Sequence, residues 1–175
     1  MPAKAPFVIR KATPEDSAEA AVIYNEGIDE RMATFVTTHV SAEEMCHKIV
    51  DVKDKHPFFV AITDDADRRV AGWGSISPYS PRACYDGIGE ISIYILKGFR
   101  RRGIGEALAE TLYQEATRLG YWKLMARIFT FNKASIALFK KLGYVEAGFH
   151  RNHGKLDGKW LDVIEVERSI PRNLI

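Results

Sequence analysis

The chain has 175 residues, 46% of them hydrophobic and 27% charged, and its 25 basic and 23 acidic side chains leave a formal net charge of +2. This is the length of one globular domain, roughly 100 to 200 residues, enough to bury a core without disulfide or metal staples. Near-neutral charge and 11% aromatic content argue against a disordered, fibrous or coiled-coil chain. A dedicated nucleic-acid or membrane-surface protein would carry a clearer basic excess.

Phe7, Val8 and Ile9 form a short strand, cut off by Arg10 and Lys11 before it could serve as a signal-peptide core. Thr13 and Pro14 then supply an N-cap and first helical position. The helix they open is expected to run to about Glu30, burying Ala20, Ile23, Tyr24 and Ile28 on one face. Residues 31–40 have no helical period and read as a connection. Ser41 and Glu44 make a capping box for a second helix carrying Met45, Ile49 and Val52.

Phe58 to Thr63 and Val70 to Ser77 predict an antiparallel hairpin, and a loop rich in turn formers follows over 78–88. From Gly89 to Leu96 the pattern alternates, with Glu90, Ser92 and Tyr94 on one face and Ile91, Ile93 and Ile95 on the other. Gly103 to Leu119 reads as a helix stopped by Gly120, and Leu124 to Phe131 as a strand. Asn132 caps a third long helix ending at Gly143. Tyr144 to Phe149 and Trp160 to Val166 close the chain as strands, joined by a polar connection that contains the hairpin dipeptide Asp157-Gly158. The fold class is α/β, a mixed sheet with helices on both faces. The longest apolar runs, such as Phe58 to Ile62, fall far short of the roughly 18 residues of a membrane span. Cys46 and Cys84 show neither CxxC nor metal spacing, read as small apolar residues, and suit a reducing, cytoplasmic setting.

The segment Arg100 to Gly105 (RRRGIG) stands between a strand and an amphipathic helix, where glycines, free helix-start amides and the helix dipole can cradle a phosphate. The plain alternative is a tight turn with solvated arginines. A dinucleotide fingerprint fails because Leu108 occupies the third glycine position and Thr130 and Phe131, not an acid, end the next strand. A nucleic-acid patch lacks interleaved aromatics.

Arg100, Gly103 and Gly105, together with Asn132 and the run ASIALFKKLGY from Ala134 to Tyr144, resemble the acyl-CoA elements of the GNAT N-acetyltransferases. Ile9 to Asp16 (IRKATPED), Ile23 to Asn25, Ala33 to Phe35, Arg82 to Tyr85 (RACY), Glu90 to Ile95 (EISIYI) and Lys159 to Val163 (KWLDV) resemble the phosphinothricin, methionine sulfoximine and arsinothricin N-acetyltransferase branch. The resemblance implies a single domain over 1–175 and a mixed, mostly antiparallel sheet of about seven strands. It implies an acetyl-CoA-dependent enzyme that acetylates the α-amino group of a small amino acid or analogue by direct attack, with no metal, and a homodimer.

By the same resemblance, main-chain groups of Ile93, Tyr94 and Ile95 would hold the pantetheine arm. Arg100, Arg101, Arg102, Gly103, Ile104, Gly105 and Glu106 would hold the pyrophosphate, and Asn132 would contact the cosubstrate across the cleft. Glu90 would be the general base, since an ammonium acceptor must lose protons before attacking a thioester; the plain reading is an ion-paired strand carboxylate. Arg82 and Tyr85 would hold the acceptor's carboxylate, and Phe35 would close the same pocket, though an exposed loop arginine is often only solvated and an aromatic often core. Phe139 stands where many relatives have a tyrosine acid, so the proton donor to the thiolate falls to Tyr94, Tyr144 or solvent. A thiol near pKa 8.5 needs little help to leave. The short polar connection from Arg151 to Gly158 and the Arg82 loop suggest a small enclosed acceptor site. A protein N-terminal or lysine acetyltransferase and a non-catalytic acyl-CoA sensor remain the alternatives. A Cys84 nucleophile and a zinc site at His150 and His153 lack an activating histidine and a third ligand respectively.

Overall fold

A computed structural model of the chain describes residues 7–51 and 55–175; Val52 of the expected second helix lies outside the described residues. Its strands are β1 (Phe7–Lys11), β2 (Phe58–Thr63), β3 (Val70–Pro78), β4 (Ile88–Ile95), β5 (Lys123–Phe129), β6 (Val145–Leu156) and β7 (Lys159–Ser169). The helices are α1 (Ser17–Asp29), α2 (Ala42–Val50), α3 (Ile104–Arg118) and α4 (Lys133–Lys141). All seven strands share one sheet in the order β1-β2-β3-β4-β5-β7-β6.

Strand β2 shows why the layers form. Every one of its residues is buried, a continuous apolar run of the kind found where both faces of a sheet are covered. Phe58, Val60 and Ile62 pack with Ala20, Ile23, Tyr24, Ile28, Met45 and Ile49 of α1 and α2. Phe59 and Ala61 point the other way, into a core with Ile104, Leu108 and Leu112 of α3 and Phe139 of α4. Trp73 joins the first core by stacking between Phe58 and Tyr94, at 4.9 and 4.7 Å between ring centres, and its indole N–H donates to the Ala20 carbonyl.

Helix starts follow the chemistry of free backbone N–H groups. Ser41 and Glu44 form the expected reciprocal box at α2. Before α1, a turn of 3-10 helix at Pro14–Asp16 places the Asp16 carboxylate at 5% exposure, where it accepts from Arg10 Nη1 and Nη2 and from the Thr13 N–H. Burial pushes the Asp16 carboxyl up, but the Arg10 and Thr13 hydrogen bonds outweigh it and hold it below the ordinary range.

The feature that makes a site is the junction of β4 and β5. Among the described residues it is the one parallel pairing in the sheet, and it holds only from Ile88–Lys123 to Glu90–Met125 before the strands part. The Gly87 carbonyl fixes where pairing begins by accepting from both Trp122 and Lys123 N–H.

Three details differ from the sequence reading. α4 has only nine residues, with Phe139 alone fully buried. The segment from Arg151 to Gly158 is no loose connection: β6 continues to Leu156 and turns through Asp157 and Gly158, both at positive φ. An edge strand paired only with β7 needs no apolar alternation, and shifts in its pairing between His150 and Gly154 scramble the pattern. Cys84 is exposed in a turn rather than packed as a small apolar residue, and both cysteines are free thiols.

Candidate active site

Where β4 and β5 diverge, a cavity of about 480 Å³ opens. The parallel register puts Glu90 opposite Met125, so Glu90, Ser92 and Tyr94 share a face with Arg127 and Phe129. The Arg127–Glu165 and His150–Val163 pairings extend that face across β7 and β6. Glu90, Arg127, Glu165 and His150 therefore share one face of the sheet. Glu90 accepts from Arg127 Nε at 3.0 Å and Nη2 at 2.5 Å, a bidentate pair. The hydrogen bonds to Glu90, with the charges of Glu90, Glu165 and Tyr79, raise the Arg127 guanidinium still further above neutrality. His150 Nε2 stands 3.7 Å from Glu165, and its ring lies 4.6 Å from that of His153, tilted by 41°; His153 lines the cavity.

The roof is the connection 31–40, which is polar in sequence yet tied down at both ends. Arg31 Nε donates to Asp157 at 2.8 Å, Asn132 Nδ2 donates to the Met32 carbonyl, and the Asn25 amide grips both main-chain groups of Val40. Phe35 descends from this roof onto Phe129, ring centres 4.8 Å apart. It can do so because position 154 is glycine: a Cβ there would sit 2.7 Å from the Phe35 ring. Phe35 is thus both a wall of the cavity and part of a small core with Leu156 and Val163.

On the other side of the cleft, β4 beyond Glu90 has β3 as partner but not β5. The Leu96 N–H bonds to Ala71 in β3, so by alternation the main-chain groups of Ser92 and Tyr94 also face β3 while those of Ile93 and Ile95 face the cleft. The Ile95 carbonyl accepts from Arg100 Nε, and the rest of that guanidinium is clamped to Glu30 at 3.0 and 2.6 Å. Arg100 thereby fixes the end of β4 to α1. Arg101 and Gly103 both take positive φ, 59° and 85°, which turns the chain sharply into α3. The first helical bond runs from Ala107 to Gly103, so the N–H groups of Ile104 and Gly105 precede it and point outward, as an anion cradle requires. Arg102 lies over the Phe99 ring, adding positive charge beside this turn. The Glu106 side chain pairs with Lys141 of α4.

Of the residues singled out in the sequence, Phe35, Glu90, Ile93, Tyr94 and Asn132 line the cavity. Ile95 and Arg100 to Glu106 do not line it; they lie beyond it, at the end of β4 and in the turn into α3. Arg82 and Tyr85 do not line it: Arg82 is exposed in the turn before β4, 5.5 Å from the Tyr85 ring, and Tyr85 packs edge-on to Tyr79. Sequence reasoning missed Arg127, Ser135 and His153, all of which line the cavity. Phe139 does line it, with no proton to give. Tyr144 is packed edge-on behind Phe139 and its hydroxyl has no hydrogen-bond partner among the described residues. Tyr94 borders the cavity, but burial drives its hydroxyl far above the ordinary phenol value. Among the described residues no group of three or more His, Cys, Asp or Glu could hold a metal, and no helix is long and apolar enough to cross a membrane.

Residues 9–164 match the model of the acetyltransferase (GNAT) domain. YwnH of Bacillus subtilis (strain 168), provisionally named a phosphinothricin acetyltransferase, is 34% identical over 94% of this chain and 99% of its own. An L-methionine sulfoximine/L-methionine sulfone acetyltransferase of Pseudomonas paraeruginosa is 28% identical over 93% and 94%. Among solved structures, a GNAT superfamily phosphinothricin acetyltransferase from Sinorhizobium meliloti in complex with AcCoA superposes with a TM-score of 0.87 at 30% identity, covering 94% of this chain and 88% of that one. A ribosomal-protein-alanine N-acetyltransferase from Brucella melitensis superposes at 0.86 and 30%, covering 93% and 99%. The chain belongs to the GNAT acetyltransferase family.

Proposed function

We propose that this GNAT enzyme transfers the acetyl group of acetyl-CoA to the α-amino group of a small amino acid or analogue of the phosphinothricin, methionine sulfoximine or arsinothricin type, with Glu90 as general base. The observation that carries this reading is the Glu90 carboxylate on the wall of a roofed cavity at the point where β4 and β5 part. The cleft-facing groups of Ile93 and Ile95, the turn from Arg101 to Gly105 and the Glu106 amide would bind the pantetheine arm and pyrophosphate. Tyr94 would contribute its ring rather than its main chain, and Arg100 would hold β4 in place.

Asn132 spends its Oδ1 on the Ser135 N–H and one Nδ2 hydrogen on Met32, leaving one N–H for the cosubstrate. Glu90 takes one proton from the acceptor's ammonium, directly or through water, the freed amine attacks the thioester carbonyl, and the nitrogen loses its second proton to solvent as the C–S bond breaks. The departing thiolate, with a pKa near 8.5, needs no strong acid; Tyr94, its hydroxyl raised by burial, would give up a proton only uphill, and Tyr144 is packed away from the cavity. Solvent is left as the donor. Arg82 and Tyr85 would guard the mouth of the acceptor side, and Phe35 its roof.

The test is thiol release from acetyl-CoA against a panel holding phosphinothricin, methionine sulfoximine, methionine sulfone and the common amino acids, beside an alanine-starting peptide. Turnover confined to the peptide would favour the protein N-terminal reading that the Brucella melitensis neighbour's name suggests. Acetyl-CoA binding without turnover of any acceptor would mark a sensor. We further propose a single domain that works in the cytoplasm as a homodimer; exposed Val145 and Phe149 on edge strand β6 support an apolar contact, and light scattering in solution tests it.

A further inference from the structure

The cavity has one permanent positive charge on its wall. Among the described residues that line it, Arg127 is the sole lysine or arginine, whereas Arg82 stands outside. The guanidinium gives its Nε and Nη2 edge to Glu90, and its Nη1 donates to no acceptor among the described residues. The Arg127 side chain is 47% accessible and that of Glu90 21%, so the pair is presented to the cavity and not sealed under it. Its two opposite charges lie side by side on a wall whose roof, Phe35, and neighbours Val163 and Phe129 are apolar.

A zwitterionic α-amino acid carries the same two charges, one carbon apart and in the complementary order. We infer that Arg127 is the specificity-determining residue for the acceptor: its Nη1 edge takes the α-carboxylate while Glu90 beside it takes the α-ammonium. This rests on the amino-acid reading of the same site. A planar guanidinium suits the task, because it can serve two carboxylates along different edges without surrendering either. Binding in this way presents the amine nitrogen to the base that must deprotonate it. Glu165, opposite Arg127 in the sheet, adds negative charge on the far side, which opposes an acceptor bearing its anion beyond Arg127.

The experiment measures kcat and KM for wild type, Arg127→Gln and Arg127→Lys with the best acceptor of the panel, its carboxamide and its decarboxylated amine. Wild type should favour the acid over the carboxamide by about 10- to 100-fold in kcat/KM, the worth of a charged hydrogen bond. Arg127→Gln should collapse that preference to within about threefold, mainly through KM for the acid, while calorimetry finds acetyl-CoA affinity unchanged. Arg127→Lys keeps the charge without the fork and should retain an intermediate preference. A loss shared equally by all three acceptors would mean that Arg127 only positions Glu90, and it would overturn the inference, as would a wild type indifferent to the carboxylate. Should Arg127→Gln fail to fold, Arg127→Lys decides: an undiminished preference or a uniform loss refutes. If wild type acetylates no amino acid, the proposed function itself fails and this inference falls with it; if it does, while the Arg127 variants keep wild-type discrimination, only the inference fails.

Discussion

Replacing Glu90 by glutamine separates its structural from its chemical role. Both carboxylate oxygens engage Arg127, at 3.0 and 2.5 Å, and glutamine can offer only one acceptor while turning an amide NH2 toward a guanidinium. The partner is 47% accessible and can be resolvated, so the stability lost should be about 0 to 1 kcal/mol, the range of exposed pairs. Removal of a general base costs about 10² to 10⁴ in rate, which is roughly 2.7 to 5.5 kcal/mol of barrier. The second number exceeds the first severalfold, so the variant should fold, bind acetyl-CoA normally and turn over slowly. The assay is thiol release at saturating acetyl-CoA and acceptor across pH. Wild type should show an acid limb set by loss of the base; in Glu90→Gln the rate should instead climb with pH as free amine accumulates, so that the deficit shrinks in alkali. A variant with wild-type kcat and an unchanged acid limb would make Glu90 a structural carboxylate and send the search for the base elsewhere.

Gly105→Val should raise the acetyl-CoA Kd at least about tenfold by crowding the helix-start amides. The new Cβ meets only the tip of Leu138, at 3.2 Å, so Tm should drop by no more than a few degrees; unchanged affinity by calorimetry removes the cradle from the argument. Arg82→Ala, at an exposed position outside the cavity wall, should raise acceptor KM by up to about tenfold, less than Arg127→Gln, and leave acetyl-CoA affinity alone. An equal loss with amines that lack a carboxylate counts against its role. Asp16→Asn should destabilise the fold by about 1 to 2 kcal/mol at neutral pH. The folded carboxyl of Asp16 lies below its unfolded value, so its contribution is complete above that value, near 3.9, and is lost as pH falls through the folded one. Urea melts of the two proteins should therefore differ by a constant amount from about pH 5 to 8, and the gap should narrow as pH falls below about 3.9; a gap that does not narrow in stronger acid contradicts the linkage.

The elements near the chain's beginning and middle were legible because each announces itself locally. A capping box marks α2, a fully apolar run marks β2, and strict alternation in β4 puts Glu90, Ser92 and Tyr94 on one face. The sharp turn from Arg101 into α3 was legible from its glycines and the helix that follows. Arg127 was not, because nothing within β5 distinguishes it from an outward-facing strand arginine. Its importance comes from the register with β4, a pairing of distant segments that no local period encodes. The same holds for His153, carried into the cavity by an edge strand whose bulges erase the alternation. Arg82 shows the limit of local resemblance: its neighbours in sequence resemble an acceptor-binding loop, while its side chain lies outside the cavity wall, beside the Tyr85 ring.

Asn132 shows how the two halves of the site are joined. Its Oδ1 caps α4 through the Ser135 N–H, and its Nδ2 holds the Met32 carbonyl at the start of the roof. α4 and the loop that roofs the cavity are thus fastened by one amide. The far end of that roof is fastened separately, by Asn25 of α1, and its base by Arg31 to the β6–β7 turn. α1 in turn meets β4 through the Glu30–Arg100 pair, and Arg100 touches the Ile95 carbonyl at the cleft. A ring of polar contacts therefore runs from β4, through α1 and the roof, to α4, enclosing the Glu90–Arg127 pair without consuming either residue. Anchors at the cavity's rim and beyond it hold its shape while the charges inside remain available to a substrate, the division of labour that a preorganised site requires.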